Sequence, residues 1–373
     1  MIRIVAAALM LIAFASAQSG GNSNKSWTAS TDSTDSTSGA QTRRTESHQE
    51  NGNRTVDTQS TQIYRSGRYE PLQDVETETL KVNATTTRTV VRTFGRDSNG
   101  QKTLLQVTEE EKQELANGGA KTIRTTSNPD LDGRLQTVQR EVADTRKIDA
   151  DTSETKTTVF LPGVNGMAAS MQSQERQHRN GDTIDFQKTT LLPDASGNWQ
   201  AGEVKRGTIK DDGKSRTSEE QISRQGPDGQ LSEVSRTVAK ESKNPSGESR
   251  GTAETFSTDV PGSAPDGHMH LVQRVTGSTR NSNGTQTAQQ QVEQVNPGDP
   301  GAGLQITVTS TDVQASGASG TQGTQTVQVR DAGGNMNVVT VDMTRSTKTP
   351  AVEVQPAPAQ PKQAPPQAQK PKQ

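Results

Sequence analysis

Glycine-bearing turns recur along this chain at a nearly constant interval, and this feature most constrains its fold. Successive turn glycines are separated by 33, 33, 33, 31, 32, 38, 36 and 31 residues. A period of this size predicts one supersecondary unit per repeat, with each unit packed against its neighbours. The glycines are Gly67, Gly100, Gly133, Gly166, Gly197, Gly229, Gly267, Gly303 and Gly334.

The residues around these glycines predict chain reversals. In Pro129-Asp130-Leu131-Asp132-Gly133, proline presets the first turn dihedral, aspartate bonds nearby backbone amides, and glycine accepts a positive φ. A second series of turns lies about half a period later, so each repeat is expected to be one β-hairpin. Its members are Asn117-Gly118, Asn180-Gly181, Asp212-Gly213, Ser246-Gly247, Asn283-Gly284 and Ser319-Gly320.

The arms between the turns are rich in threonine, valine, glutamine and serine, which favours strands. Residues 304–309 and 338–343 show the clearest alternation of apolar and polar side chains. Helix is the alternative where Leu135, Val138 and Val142 follow a helical spacing, and over 109–116. A β-bulge after each glycine turn would explain the same break in alternation.

We therefore expect an all-β fold, an antiparallel meander of about 8 hairpin repeats with a 31–38-residue period, over residues 62–349. Hydrophobic residues are only 27% and aromatic residues 2% of the chain, too few for the apolar inner faces of a sandwich. A transmembrane barrel is disfavoured because alternate positions are not consistently apolar and no aromatic girdles are evident. An extended or solenoid-like stack is the expected architecture.

The two ends of the chain differ from the repeats. Residues 1–17 have a short positive start, an apolar run and the small-residue sequence Ala15-Ser16-Ala17, as in a secretory signal peptide. Residues 18–61 are rich in serine, threonine, asparagine and glycine and are predicted to be a disordered linker. Residues 350–373 are rich in proline, glutamine and lysine and are predicted to be a disordered, extended tail.

Charge and cysteine content exclude several classes of protein. The chain has 41 basic and 43 acidic residues, so it lacks the positive field that nucleic-acid binding requires. It has no cysteine and hence no disulfide. No apolar run has the length of a membrane-spanning helix, so we expect no membrane span and an exported protein located in the periplasm, on the cell surface or outside the cell.

Candidate sites are few. His268, His270 and Asp266 could share a metal ion if the histidines alternate on a strand, and a solvated histidine pair is the alternative. Asp130 to Gly133 and Asp194 to Asn198 resemble calcium loops but are explained equally well as turns. No nucleophile motif or phosphate-binding loop is present, so no catalytic residue, no cofactor and no enzymatic activity are predicted.

Repetition without a unique site suggests a function based on surface or length. The leading hypothesis is a structural protein of the cell envelope or surface, acting as a spacer, scaffold or adhesion element. The alternative is a binding module whose polar strand rows recognise an envelope polysaccharide or a surface protein. A third hypothesis is a hydrolase whose catalytic site has no recognisable motif.

Overall fold

A computed structural model describes residues 26–194, 196–317, 320–331 and 333–348. These residues form twenty antiparallel strands and one 3-10 turn, Pro300–Ala302. The strands are β1 Ser26–Asp35, β2 Gln41–Asn51, β3 Arg54–Arg65, β4 Arg68–Lys81, β5 Thr86–Arg96, β6 Lys102–Glu114, β7 Ala120–Pro129, β8 Leu135–Lys147, β9 Thr152–Gly163, β10 Gly166–Asn180, β11 Thr183–Pro193, β12 Trp199–Asp211, β13 Ser215–Gln225, β14 Leu231–Lys243, β15 Ser249–Ser257, β16 His270–Ser282, β17 Thr285–Val295, β18 Leu304–Gly317, β19 Gly320–Arg330 and β20 Met336–Lys348.

The strands close into a barrel. Each strand pairs with its neighbours in sequence, and β1 also pairs with β20, so that Ser30 lies between Thr45 and Ser346. The prediction of an all-β antiparallel meander is confirmed, but the extended or solenoid-like arrangement is wrong. Closure pairs the backbone groups of both edge strands, and a wide ring needs no apolar core between two layers. Scarcity of apolar residues therefore argued against a sandwich but not against a barrel.

The barrel begins earlier in the chain than the composition suggests. Strands β1, β2 and most of β3 lie within the range 18–61 that was predicted to be disordered, and the prediction is wrong from Ser26 onward. Gly39 has a φ of 67° and closes the turn between β1 and β2, where its amide bonds the Asp35 carbonyl. Strand pairing on both sides orders this polar segment without a core.

The ends of the chain lie outside the described residues. The signal peptide at 1–17 and the tail at 350–373 therefore stay predictions. In the ranges that the structure describes, no helix is long and apolar enough to cross a membrane.

The two predicted series of turns lie at opposite ends of the barrel. The first series, exemplified by Gly133 with a φ of 77°, joins each odd-numbered strand to the next even-numbered strand. The second series, exemplified by Gly247 with a φ of 80°, joins even-numbered to odd-numbered strands. We call these ends the first-turn rim and the second-turn rim.

A β-bulge follows the first turn in the even-numbered strands from β4 to β18. In β8, Gln139 pairs with Thr126 and Thr137 with Ser127, which leaves Val138 as the extra residue. The helical spacing that includes Val138 is therefore a strand with a bulge, which raises the local twist of the sheet. The other ambiguous segment, 109–116, is the end of β6 and the turn that follows it.

The register of the strands decides which side-chain face points outward. When paired residues are followed from strand to strand, the row moves toward the first-turn rim. The row that starts at Ser30, in the middle of β1, passes through Thr45, Ser60 and Asp74 and reaches Phe94 near the end of β5. On even-numbered strands, the residues on the face opposite to that row donate their backbone amides to the preceding strand. The Lys81 amide, for example, donates to the Asn53 carbonyl. Sheets of L-residues twist with one hand, so the strands of a closed barrel tilt in one direction. Given that tilt, the direction of the row and the direction of the amides place the face of Ser30 and Phe94 on the outside of the barrel.

Side-chain exposure agrees with this assignment. In β12, Arg206, Thr208 and Lys210 on the outer face are exposed, whereas Lys205 and Ile209 on the alternate positions are half-buried. Side chains that converge inside a ring cover one another more than side chains that diverge outside it. We call the alternate positions the lumen face.

Candidate functional site: the lumen and the outer belt

The lumen face is polar and is tied together by threonine pairs. Adjacent strands place threonine hydroxyls within hydrogen-bonding distance at four positions along this face. Cross-strand threonine pairs stabilise a sheet and leave hydroxyl groups directed into the lumen. The pairs are Thr79–Thr89 at 3.4 Å, Thr108–Thr126 at 3.4 Å, Thr145–Thr155 at 2.9 Å and Thr237–Thr255 at 3.2 Å.

Charged groups of the lumen face lie mainly on β2, β3 and β6 to β13, where several form ion pairs. Arg124 bonds Glu110 at 2.8 Å through Nε. Lys205 lies 2.7 Å from Glu220, and Nε of Arg224 lies 2.9 Å from Glu203. This part of the wall therefore presents charges that are compensated by partners on the next strand.

The lumen face of β15 to β20 carries fewer charged side chains and includes several glycines. Gly251 of β15 stands directly opposite Gly277 of β16, and Gly323 occupies the corresponding face of β19. Asp312 of β18 is half-buried on this side: Gln314 bonds its Oδ2 at 3.1 Å, and its Oδ1 is buried without a hydrogen-bond partner among the described residues. The lumen therefore has a charge-rich side and a side with few charged residues.

The predicted metal residues lie at the first-turn rim, where β16 begins. His270 Nε2 is 2.8 Å from Asp266 Oδ2, and the His268 amide donates to Asp266 Oδ1 at 2.9 Å. β16 begins at His270, so His268 precedes the strand and the expected alternation of the two histidines on one strand is wrong. The described residues contain no group of three or more histidine or acidic side chains placed to hold a metal ion.

The proposed calcium loops are hydrogen-bonded turns. Asp130 Oδ1 accepts the amides of Asp132 and Arg134, each at 2.9 Å. The amide of Arg134 and the side chain of Gln136 hold the pKa of Asp130 below its ordinary value. Asp194 repeats this geometry with its own downstream amides. These oxygens are already used to shape the turns, and calcium binding stays a prediction.

The outer face has a shallow depression of about 430 Å³ over β10 to β13. Arg176, Asp185, Arg206 and Glu219 line it, and Thr208 donates a hydrogen bond to Asp185 at 2.7 Å. The ring of Phe186 packs against the backbone of Gly207 beneath the depression. A side chain at position 207 would clash with this ring. The depression is open to solvent.

Aromatic residues collect on the outer face beside the first-turn rim. Six of the eight described tryptophan, tyrosine and phenylalanine residues lie there, each within four residues of a strand end. Together with neighbouring aliphatic side chains they form a band that we call the outer belt. Its members are Tyr64, Tyr69, Phe94, Leu104, Leu135, Phe160, Met167, Leu191, Trp199, Leu231, Phe256, Leu271, Val295, Leu304 and Met336.

Sequence reasoning missed the outer belt. The expectation that aromatic girdles are absent is wrong for this end of the barrel, because residues about 30 positions apart become neighbours when the hairpins align. The available signal was a large apolar residue within a few positions of each first-series turn, as at Leu135 after Gly133 and Leu231 after Gly229.

The outer face also carries cross-strand ion pairs, both beside the first-turn rim and farther along the strands. Arg54 and Arg92 both contact Glu78, at 2.6 and 3.5 Å. Asp74 and Arg96 lie 2.7 Å apart and are 16% and 17% exposed, so this pair is the best shielded of the outer wall's described ion pairs. Charged side chains therefore adjoin the outer belt, as where Arg140 pairs with Phe160 and Arg236 with Phe256.

Comparison with known proteins supports the barrel fold. No protein-family model matches the chain, and no curated protein matches it. Among solved structures, the siderophore receptor PirA from Pseudomonas aeruginosa is similar with a TM-score of 0.50 and 9% identity, over 88% of this chain and 82% of that chain. OccK5 (OpdH) from the same organism has a TM-score of 0.43 and 9% identity, over 87% of this chain and 97% of that chain. The ferric-catecholate import receptor Fiu from E. coli has a TM-score of 0.43 and 9% identity, over 88% of this chain and 83% of that chain.

This fold corrects two expectations. The spacer, scaffold or adhesion hypothesis required an extended array, whereas the chain closes into a barrel similar to that of a siderophore receptor. The exclusion of a membrane span considered helices and uniformly apolar strands, whereas closed antiparallel barrels cross membranes with their strands. The similarity to PirA, at 9% identity, concerns the fold, and the absence of enzymatic activity stays a prediction.

Proposed function

We propose that this chain is an exported barrel of a bacterial-type outer membrane, where it forms a transport pore for small hydrophilic solutes. The observation that carries the proposal is the pairing of β1 with β20, which closes all twenty strands around a lumen with a polar lining. Barrels of 16–18 strands are wide enough for an aqueous channel, and this ring is wider. The predicted signal peptide at 1–17 supports export.

The lining suggests what the pore would pass. Its threonine hydroxyls and paired charges offer hydrogen bonds to polar solutes, while ion pairs such as Lys205–Glu220 leave little unbalanced charge. A pore of this kind should discriminate weakly between anions and cations, because the lumen face that the structure describes carries no ring of one charge sign. Uncharged sugars and small ions of both signs are the expected substrates.

The proposal is tested by conductance of the mature chain, residues 18–373, in planar lipid bilayers. We expect stepwise channels with weak ion selectivity, and swelling of liposomes in small sugars. Thr344→Pro should abolish the conductance steps. The Thr340 carbonyl accepts a hydrogen bond from the Ser36 amide, so Thr344, four residues later on β20, also directs its amide toward β1. Proline has no amide hydrogen and would remove a hydrogen bond from the pairing that closes the barrel.

The matched control is Ala264→Pro, which adds a proline in the loop between β15 and β16. It should conduct like the parent. Absence of channels from parent protein that shows full strand content by circular dichroism would refute the proposed function. Channels of equal size from the Thr344→Pro variant would also refute it, since the conducting path would then not depend on closure.

A further inference from the structure

The polar lining of the lumen is interrupted by an apolar patch on the side that has few charged residues. Neighbouring strands from β16 to β20 place valines directly opposite one another on the lumen face. Side chains of directly paired residues have Cβ atoms about 5 Å apart, so these valines adjoin in one surface that we call the valine patch. Its members are Val275, Val292, Val308, Val327, Val329 and Val339.

The valine patch faces the lumen instead of a packed core. Val329 is 43% exposed, and the other five members are half-buried. Apolar side chains that line an open lumen contact water, at a free-energy cost that rises with their exposed area. Contiguous exposed apolar surface commonly marks a contact site. The patch therefore has the character of a docking surface inside the barrel.

The chain itself supplies an apolar segment beside the patch. β20 carries Val339 and ends at Lys348 at the second-turn rim, and the proline-rich tail at 350–373 follows almost directly. Eight of the ten residues from 350 to 359 are proline, alanine or valine, whereas the lysines of the tail come later, at 362, 370 and 372. The part of the tail nearest to the barrel is thus the part that matches the patch in chemistry.

The length of this apolar segment matches its distance from the patch. Ten residues in polyproline II geometry span about 31 Å. A strand rises about 3.3 Å per residue, so β20 covers about 30 Å between Val339 and Lys348. A tail that turns back at the second-turn rim and runs beside β20 brings Ala357 level with Val339. Proline-rich segments are already extended before they bind, so they lose little conformational entropy on docking.

We propose that residues 350–359 turn back into the lumen and dock on the valine patch, so that the tail lines one wall of the pore and narrows it. The occupant of the patch is the tail of the same chain, held by contacts between its proline, alanine and valine side chains and the valines of β16 to β20. The proposal rests on the proposed function only in treating the lumen as the conducting path. Docking is measured without conduction.

The absence of cysteine from the chain allows a direct disulfide test. Val339→Cys and Ala357→Cys are introduced together into the mature chain, residues 18–373, which is oxidised at high dilution in detergent micelles with copper–phenanthroline. Peptide mass mapping then detects the disulfide. The matched control combines Val338→Cys with Ala357→Cys, because Val338 is the adjacent residue of β20, lies on the outer face and is 48% exposed.

We expect the Val339 pair to form a disulfide within one chain at least about fivefold faster than the Val338 pair, because the two positions face opposite sides of the wall. Val339→Cys with Ala351→Cys should also react slowly, since six residues of extended tail separate positions 351 and 357 by about 19 Å. Equal rates for the Val339 and Val338 pairs would overturn the proposal. Disulfides that join separate chains would also overturn it, because the tail would then occupy a second copy.

A set of substitutions on the patch provides a second measure. Val292→Thr, Val308→Thr and Val327→Thr together keep the side-chain shape but add hydroxyl groups, and should slow cross-linking of the Val339 pair by about fivefold or more. Val142→Thr, Val238→Thr and Val313→Thr make the same changes on the outer face. This control should cross-link like the parent pair, and an equal loss in both triple variants would contradict docking on the patch.

Conductance separates the docking proposal from the proposed function. A chain that ends at Thr349 keeps all of β20 and should form channels with a unit conductance about 1.5-fold larger than that of residues 18–373, because the tail no longer occupies part of the cross-section. Channels of equal size from the two chains would overturn the docking proposal and leave transport standing. Rapid cross-linking of the Val339 pair in a barrel that forms no channels would refute the transport proposal alone.

Discussion

The two rims of the barrel share one backbone design but differ in their side chains. Both use tight turns with positive-φ glycines, such as Gly229 at 79° and Gly247 at 80°. At the first-turn rim the strand ends carry the outer belt, whereas the outer face near the second-turn rim carries polar and charged residues such as Arg250 and Lys210. Turn geometry therefore does not determine what a rim contacts; the residues two or three positions from the turn do.

The largest expected difference between the rims concerns side-chain packing. Val295 of the belt is 7% exposed, so Val295→Ala should destabilise the barrel by about 2 kcal/mol through lost burial and the cavity left behind. Val313, on the outer face nearer the second-turn rim, is 39% exposed, and Val313→Ala should cost about 0.5 kcal/mol or less. Urea unfolding midpoints compare the two, and equal losses would contradict the packing difference.

A smaller effect should be the same at both rims. Gly229→Val and Gly247→Val each place a β-branched residue at a φ near 80°, with a cost of about 1–2 kcal/mol. Thermal unfolding monitored by circular dichroism gives the measurement. A variant at one rim that costs clearly more than its counterpart would show that the two turn series are not equivalent in backbone strain.

The smallest effect is the acid sensitivity of the turns. Backbone amides four residues downstream lower the pKa of Asp130, Asp194 and Asp331 at the first-turn rim. Because the folded pKa is below the unfolded value, their stabilisation is present above a pH of about 4 and is lost as the pH falls through the folded pKa. At the second-turn rim, the amides of Ser215 and Lys214 lower the pKa of Asp212 in the same way.

Changing the first three aspartates to asparagine keeps the amide acceptor but removes the charge. The unfolding midpoint of this triple variant should fall less between pH 7 and pH 3 than that of the parent. Asp212→Asn should show the same change on a smaller scale. A triple variant as acid-sensitive as the parent would mean that these carboxylates do not contribute to stability through their ionised form.

Local chemistry made the hairpins predictable and left the ring unpredicted. Pro129-Asp130 and Gly133 specify their turn with neighbouring residues alone, so both turn series could be placed correctly. The N-terminal strands were missed because residues 30–38 contain no apolar side chain, and because one partner of β1 is β20, more than 300 residues away. No local pattern reports a partner at that distance.

The candidate site shows the same division. His268, His270 and Asp266 could be proposed from their spacing, and the structure brings His270 and Asp266 together without completing a metal site. The lumen lining and the outer belt could not be proposed, because both depend on which alternate positions face inward. Register slip and twist, accumulated over all the strands, decide that orientation.

The sequence by itself determined the turns and the strands from β4 onward, since glycine, aspartate and β-branched residues act on their own backbone and that of near neighbours. Only the tertiary structure decided that β1 meets β20, that threonine rows line a lumen, and that Phe94, Phe160 and Phe256 stand in one band. Backbone hydrogen bonds close the ring, and they are the same for every residue type. Closure therefore leaves no signature in composition.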